Sequence, residues 1–352
     1  MRDQEVKFAW HQTPIDRTVL TDLTKRRNLR PFVDSVVQIG FNALTAGVAL
    51  HAFKNWSWPL IVLTTFFHCT FYGHYGSSAH HELSHRTVFA SSRLNEIFLR
   101  IAAFINWNNF VFYRHSHALH HKYTVHKNFD MEVALPLSLS WQSWIWVFTA
   151  DPVGVYRVIR RTLRWAFRKR REQILVTQWE RRIFPETDLA GIQGLRRWSR
   201  ALLIGHTVLA LLFVVTGNWY LIVLVTLGAF IANWLFRLTH SPQHIGMRSD
   251  VADWRQSTRS YHGGPIVKFF YWNMQYHVEH HMYAAVPYYN LPRLHKQIEW
   301  DLPVEHRDLV ATWREIARTV HRQKRDSEYY YSPPLPEGAT PYLEPTDRKS
   351  RS

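Results

Sequence analysis

Four apolar runs limit how this 352-residue chain can fold more than any other feature of its sequence. They cover residues 35–53, 60–75, 201–215 and 219–236. A helix needs about 20 mainly apolar residues to cross the hydrocarbon core of a bilayer. The runs come close to that length, so we expect four transmembrane helices.

Short polar turns divide these runs into two hairpins, at residues 54–59 and 216–218, and the turns carry almost no charge. Nearly all Lys and Arg fall on the opposite side, which the positive-inside rule places in the cytoplasm. We therefore predict an all-α, multi-pass integral membrane protein with a cytoplasmic helical cap. Its expected parts are a polar, partly amphipathic N-terminal segment, a membrane domain and a flexible, proline-rich tail, over residues 1–30, 31–325 and 326–352.

The formal net charge of +16 is compatible with nucleic acid or with an anionic membrane surface as partner. The basic residues concentrate in 157–200, beside the third apolar run, which favours membrane lipids and argues against nucleic acid. Cys69 is the single cysteine, which excludes an internal disulfide and a cysteine-ligated iron–sulfur or rubredoxin-like centre. Any electrons must therefore come from another protein.

Three histidine patches lie on the predicted cytoplasmic side. Two have the pattern H-x-x-H-H, within HALHH and NMQYHVEHH, and the third is HELSH. Positions i, i+3 and i+4 are neighbours on one helix face, with Cβ atoms about 5–6 Å apart. Imidazoles are ligands for iron, zinc, copper and nickel. Eight histidines exceed the needs of one ion, so two metals is the economical interpretation. The eight are His81, His85, His117, His120, His121, His277, His280 and His281.

HELSH also matches the H-E-x-x-H helix of zinc metalloproteases, with Glu82 as general base. Such a protease needs one further ligand and leaves both H-x-x-H-H patches unexplained. A metal-transport protein is another alternative, but it predicts polar residues inside the membrane spans, and the clearest spans contain few.

The stretches HELSHRTVF, HSHALHHKYT and NMQYHVEHHMYAAVPYYNLPRLH resemble the three histidine boxes of the membrane fatty acid desaturase/hydroxylase superfamily. That superfamily includes fatty acid decarboxylases that form terminal alkenes. The resemblance covers about residues 31–325. It implies a four-helix transmembrane fold with a non-haem di-iron centre on the cytoplasmic side, and it implies that the eight box histidines are the iron ligands.

The resemblance also implies one further histidine ligand after the fourth span. His244 in Gln-His-Ile-Gly matches that position, and His240 is the alternative. Asn273, one helical turn before His277, is a candidate for a water-mediated or indirect role. Acceptors are needed for the second ring nitrogens of the ligands, and Asp130, Glu82 and Glu279 are the candidates. Candidates for holding a substrate head group are Arg114, Lys122, Lys127 and Arg237, although a solvent- or lipid-facing role is the default for each.

The implied reaction is O2-dependent oxidation of a fatty acyl chain or free fatty acid, begun by hydrogen abstraction. Desaturation is the simplest outcome, with hydroxylation and oxidative decarboxylation to a terminal alkene as alternatives. No catalytic residue is implied beyond the metal ligands. The implied cofactors are two iron ions. The implied electron donor is a separate ferredoxin-, rubredoxin- or cytochrome b5-type protein with its reductase.

Overall fold

The computed structural model describes residues 7–133, 135 and 141–343. Within these ranges the regular elements are helices, and extended residues form only isolated β-bridges. This agrees with the predicted all-α class. The α-helices are α1 Arg17–Leu23, α2 Leu29–Asn55, α3 Trp58–Ser84, α4 Ser92–Ile105, α5 Phe110–Tyr123, α6 Trp141–Phe148, α7 Pro152–Phe167, α8 Arg171–Ile174, α9 Gln178–Ile183, α10 Leu189–Val215, α11 Trp234–His240, α12 Trp254–Ser257, α13 Pro265–Phe270, α14 His277–Met282, α15 Leu291–Ile298 and α16 Leu309–Gln323.

Helices α2 and α3 form the first hairpin and contain the first two apolar runs. Helix α3 has 27 residues, which is about 40 Å at 1.5 Å per residue and exceeds the roughly 30 Å hydrocarbon core. It therefore extends without a break from the second apolar run into HELSH. Gly76 lets the α4–α5 connection approach this helix, because a Cβ there would lie 2.5 Å from Oδ1 of Asn106.

Helices α2 and α10 are, among the described residues, the two whose length and composition suit a membrane crossing. Their most apolar windows have a mean hydropathy of 1.4 and 1.8. Helix α10 begins twelve residues before the third apolar run, so its N-terminal part belongs to the cap and its C-terminal part to the apolar layer.

The fourth apolar run, 219–236, is not one continuous helix, contrary to the prediction. It contains a π-helix at Ile222–Thr226 and a 3-10 helix at Gly228–Phe230, and α11 begins only at Trp234. Such irregular backbone leaves carbonyl groups without their usual helical partners, which is costly in an apolar layer unless other groups bond them.

Side chains from α3 and from the α4–α5 connection supply those bonds. Gly228 permits the close approach, because a Cβ there would lie 3.0 Å from the ring of Tyr72. The sequence predicts an apolar segment here, but it does not show that side chains of other segments bond its backbone carbonyls. The bonds run from Nε2 of His68 to the Leu224 carbonyl at 3.2 Å, from the Tyr72 hydroxyl to Val225 at 2.9 Å and from the Trp107 indole to Thr226 at 2.7 Å.

The two hairpin turns lie side by side. Nζ of Lys54, near the end of α2, donates to Oδ1 of Asn218, which follows α10, at 2.7 Å. The ring of Phe53 stacks on that of Tyr220 with centroids 4.0 Å apart. These contacts place the end of α2 and the end of α10 at the same edge of the molecule.

Helix α7 is basic and has a stripe of exposed apolar side chains along one face. Val153, Tyr156, Leu163 and Phe167 are all solvent-exposed, with Tyr156 at 62%. They follow helical spacing, so they share one face. The opposite face buries Trp165 and packs against α10. This helix is therefore amphipathic in the manner of a helix lying at a membrane surface.

A buried charge cluster joins the two ends of the described chain to the cap. The guanidinium of Arg255 is fully buried and bonds Asp253 and Asp301, each at 2.8 Å. Asp301 also accepts from the hydroxyl of Thr13 at 2.6 Å, and Arg255 donates to the carbonyl of Thr340 at 3.0 Å. Part of the segment expected to be a flexible tail is thus docked on the cap, and 344–352 lie outside the described residues.

Candidate metal centre

Four segments bring nine histidines together at the C-terminal end of α3. This is the end that the sequence predicts to face the cytoplasm. Helix α3 ends in HELSH, α5 carries HALHH, and the short helix α14 carries the last box. His244 comes from the loop after α11. Each box lies on a helix, as the spacing predicted, and eight box histidines plus His244 form two groups.

In the first group the nearest ring nitrogens all lie within 4.8 Å of one another. Nε2 of His117 lies 3.1 Å from Nε2 of His85 and 3.1 Å from Nε2 of His121. His85 and His121 are partly exposed, so this group reaches the protein surface. The members are His81, His85, His117, His121 and His280.

The second group is fully buried and has four members, whose nitrogens also lie within 4.8 Å of one another. Nε2 of His277 lies 3.3 Å from Nε2 of His244 and 3.2 Å from Nε2 of His281. His240, the alternative to His244, belongs to neither group. The members are His120, His244, His277 and His281.

Each H-x-x-H-H box is divided between the two groups in the same way. The histidines at i and i+4 join one group and the histidine at i+3 joins the other. On a helix with 3.6 residues per turn, side chains at i+3 and i+4 diverge by about 100°. Helices α5 and α14 can therefore each contribute to two adjacent groups. This division explains why both boxes have the same spacing.

Five of the outer ring nitrogens meet an oxygen acceptor, which fixes those rings. Asp130 and Glu82 have the contacts expected of them. Glu132, Ser257 and Thr124 were not predicted, although Glu132 lies only two residues from Asp130. The contacts from Nδ1 are His117 to Glu132 at 2.8 Å, His120 to Asp130 at 2.7 Å, His244 to the Ser257 carbonyl at 3.0 Å, His281 to Oγ1 of Thr124 at 3.2 Å and His81 to Glu82 at 3.2 Å.

The inner nitrogens lack such partners. Nε2 of His81 and Nε2 of His280 are buried and make no hydrogen bond to any described residue. The others mainly face the nitrogens of neighbouring histidines. Buried polar atoms without partners are destabilising, and a metal ion bound to the converging lone pairs would remove that penalty. The residues present therefore fit two metal ions, and all-imidazole sites suit iron, zinc or copper.

Burial keeps most of these rings neutral, the form that binds metal. Removal from water, followed by the neighbouring histidines, lowers the pKa of His117, His277 and His280 far below its usual range. His120 is the exception: burial lowers its pKa too, but the carboxylate of Asp130 outweighs this and raises it. Burial also raises the pKa of Glu132 to about 7.

Two predicted supporting residues lie elsewhere. Glu279 contacts no box histidine; its Oε1 lies 2.5 Å from Nδ1 of His295 and its Oε2 accepts from Ser260 at 2.6 Å. Asn273 donates to the carbonyl of Tyr288 at 3.1 Å and has a φ of +54°, so it shapes the turn before α14. Glu279 therefore bonds side chains beside the last box, and Asn273 bonds the backbone that follows it.

A cavity of about 400 Å³ opens beside both groups. It is lined by His81 and His117 from the first group and by His120, His244 and His277 from the second. Its remaining wall is half aromatic or apolar and half polar, and the polar half is Ser77, Ser78, His80, Asn108, Ser116, Glu132, His240 and Gln243. Among the described residues the aromatic or apolar half is Phe112, Tyr113, Met131, Val133, Trp179, Phe236, Tyr271 and Met274.

The four basic residues proposed to hold a head group do not line this cavity. Arg114 pairs with Glu96 instead, the ammonium of Lys122 lies over the ring of Tyr123, and Lys127 is near Glu328. Arg237 is exposed. The sequence placed these side chains near the boxes along the chain, but their directions take them away from the cavity.

The family model for fatty acid desaturases matches residues 56–312 and so includes all three boxes and every member of both groups. No curated protein matches the chain.

Proposed function

Because the chain belongs to the fatty acid desaturase family, we propose that it is a membrane-bound di-iron enzyme that desaturates a fatty acyl chain. Members of this family are membrane-bound oxidoreductases of fatty acids, and the apolar helices α2 and α10 fit that setting. The observation that carries the proposal is the sorting of nine histidines into two adjacent groups whose inner nitrogens converge.

The first group would hold one iron ion and the second group the other. Iron bound there supplies, with O2, the oxidising strength needed to break an unactivated C–H bond. The protein's own contribution is to orient the rings: Glu132 and Asp130 hold the Nδ1 protons of His117 and His120, which leaves Nε2 of each ring free to coordinate. The aromatic and apolar part of the cavity wall would keep water away from the reacting carbon atoms.

The lining of the cavity favours an acyl chain over a carboxylate beside the metal groups. Among the described residues, no Lys or Arg lines the cavity, so no basic side chain there would orient a carboxylate beside the metal groups. Decarboxylation requires the carboxyl group close to the metals, whereas desaturation places only methylene groups there. Desaturation is therefore the function that this cavity supports best.

The HELSH helix gives no support to a zinc protease. A general base must face the metal-bound water, but Oε1 of Glu82 lies 3.2 Å from Nδ1 of His81 and 3.5 Å from Nδ1 of His280. Glu82 thus bonds the outer nitrogen of the His81 ring and lies near that of the His280 ring, so it does not face the space between the inner nitrogens.

We also propose a four-crossing topology, with the metal groups on the cytoplasmic side. The crossings are α2, the first part of α3, the end of α10 and the irregular run 219–236. The Lys54–Asn218 contact supports it, because it places both hairpin turns at one edge. Electrons would come from a separate carrier protein, since Cys69 is the single cysteine and is buried.

Product analysis tests the proposed reaction. The detergent-purified protein, loaded with ferrous iron, receives O2, a ferredoxin reducing system and a series of fatty acids and their coenzyme A esters. We expect a product with unchanged carbon number and two hydrogens fewer, and no product from His280→Ala. An alkene one carbon shorter would replace desaturation by decarboxylation. One zinc ion without any oxidised product would overturn the oxidase proposal.

A further inference from the structure

Gln243 lies beside the second group. Its hydrogen bonds are incompatible with a metal ion bound to His277. It is 1% exposed. Its Nε2 lies 3.0 Å from Nδ1 of His277 and 2.8 Å from the hydroxyl of Tyr271. Its Oε1 is buried and has no hydrogen-bond partner among the described residues. An N–H donor of Gln243 therefore faces Nδ1 of His277, which is one of the proposed metal ligands.

The direction of that bond fixes the tautomer of His277. An N–H group of Gln243 can donate to Nδ1 only if Nδ1 carries a lone pair, so the ring proton of neutral His277 lies on Nε2. Nε2 is the atom that faces the rest of the group, at 3.3 Å from Nε2 of His244. In this arrangement a proton occupies the place where a metal ion would bind.

The other rings of the group already have the opposite tautomer. Nδ1 of His244 faces the carbonyl of Ser257, which can only accept, so its proton is on Nδ1. Oγ1 of Thr124 donates its own proton to the carbonyl of His120 at 2.8 Å, so it accepts from Nδ1 of His281. Both rings leave Nε2 as a lone pair. His277 is therefore the odd ring in the second group.

We propose that the side-chain amide of Gln243 is a two-position element that controls metal binding at the second group. In the metal-competent position Oε1 takes the place of Nε2 and accepts the Nδ1 proton of His277. The hydroxyl of Tyr271 can donate to the same oxygen. This inference rests on the proposed metal centre and assigns Gln243 as a positioning residue.

The rotation has a cost that metal binding must offset. In the present position Nε2 of Gln243 also lies 3.3 Å from the carbonyl of Met274, which an amide oxygen would repel. After rotation the NH2 group would occupy the place where Oε1 now has no partner. The second group should therefore bind its metal more weakly than it would if Nδ1 of His277 already faced an acceptor.

The network continues into the cavity. The hydroxyl of Tyr271 lies 3.2 Å from Nδ1 of His240, and both residues line the cavity. When Tyr271 donates to Oε1 of Gln243, it can accept from Nδ1 of His240. The orientation of His240 in the cavity wall is thus linked to the metal-competent position of Gln243.

Three variants test this assignment. Gln243→Leu removes the acceptor, Gln243→Glu supplies acceptors only, and Gln38→Leu is a matched control. Gln38 is also fully buried and bonded, to the carbonyl of Phe269 and the indole of Trp272. Each purified protein is loaded anaerobically with ferrous iron. Iron per chain is then measured by mass spectrometry before and after competition with a chelator.

After the competition we expect two iron ions in the wild type, in Q243E and in Q38L, and one in Q243L. Loss of an outer partner typically lowers metal affinity 10- to 100-fold, so a chelator should remove the second ion from Q243L first. Two ions bound to Q243L with wild-type affinity would overturn the inference and leave the proposed function intact. Absence of iron from the wild type would instead overturn the proposed function.

A folding defect cannot be mistaken for support. Gel filtration and thermal unfolding of the metal-free variants show whether Q243L keeps the wild-type fold. Should Q243L be misfolded, Q243E decides the question, because it has nearly the same shape. Q243E must hold its second ion at least as tightly as the wild type, and a weaker second ion would overturn the assignment.

Discussion

Nδ1 of His120 lies 2.7 Å from Oδ2 of Asp130, and the same oxygen accepts the backbone N–H of Val125 at 2.9 Å. The other oxygen, Oδ1, accepts from the backbone of Glu132 at 2.9 Å. The carboxylate therefore closes the loop after α5 and holds one ring of the second group. One side chain links the backbone of this loop to the geometry of the metal centre.

Asp130→Asn should weaken metal binding at the second group. An amide has a donor where the carboxylate has an acceptor, so at least one side of Asp130 would face another donor. We expect a 10- to 100-fold loss of affinity for one metal ion, measured by chelator competition. Asp16→Asn is the control, because Asp16 caps α1 on the surface and Asn is an equivalent cap. Unchanged metal affinity in D130N would show that Asp130 does not orient His120.

Asn218 should be accessible from the side of the membrane opposite the metal centre. We expect a membrane-impermeant maleimide to label Asn218→Cys in intact cells. Arg93→Cys, on the exposed face of α4, should be labelled only after lysis. Cys69 is fully buried and should stay unlabelled in both proteins. Labelling of R93C before N218C would contradict the proposed topology.

Arg255→Met should destabilise the cap strongly. The substitution leaves the buried carboxylates of Asp253 and Asp301 without their cation, and breaking a buried ion pair typically costs about 3–5 kcal/mol. We expect lower thermal stability in detergent and faster proteolysis of the N-terminal segment that Asp301 holds through Thr13. Arg293→Met, which removes an exposed partner of Asp22, should change little. Equal effects of the two substitutions would show that the buried cluster does not hold the termini.

The convergence of the box histidines could be predicted from the sequence because their spacing is local. Spacings of three and four residues place His117, His120 and His121 on one helical face without knowledge of the rest of the fold. The choice between His240 and His244 is different. Both lie close together in the chain, and only the packing of α14 against the loop after α11 places His244 in the second group.

Other features depend on contacts that are distant in sequence. Hydropathy predicts that the run 219–236 is apolar, but its broken backbone is stable only because His68, Tyr72 and Trp107 bond its carbonyls. Gln243 is similar: it stands next to His244 in the chain, yet its contact is with His277. The sequence shows that this residue is Gln, but it does not show which atom of the Gln243 amide faces His277.

The number of metal ions per chain tests the central claim most directly. Iron is measured in the wild type, in His280→Ala, which removes a member of the first group, and in His120→Ala, which removes a member of the second. The two-group arrangement predicts two ions in the wild type and about one in each variant, because each substitution weakens one group. A single ion in the wild type, or two tightly bound ions in both variants, would contradict it.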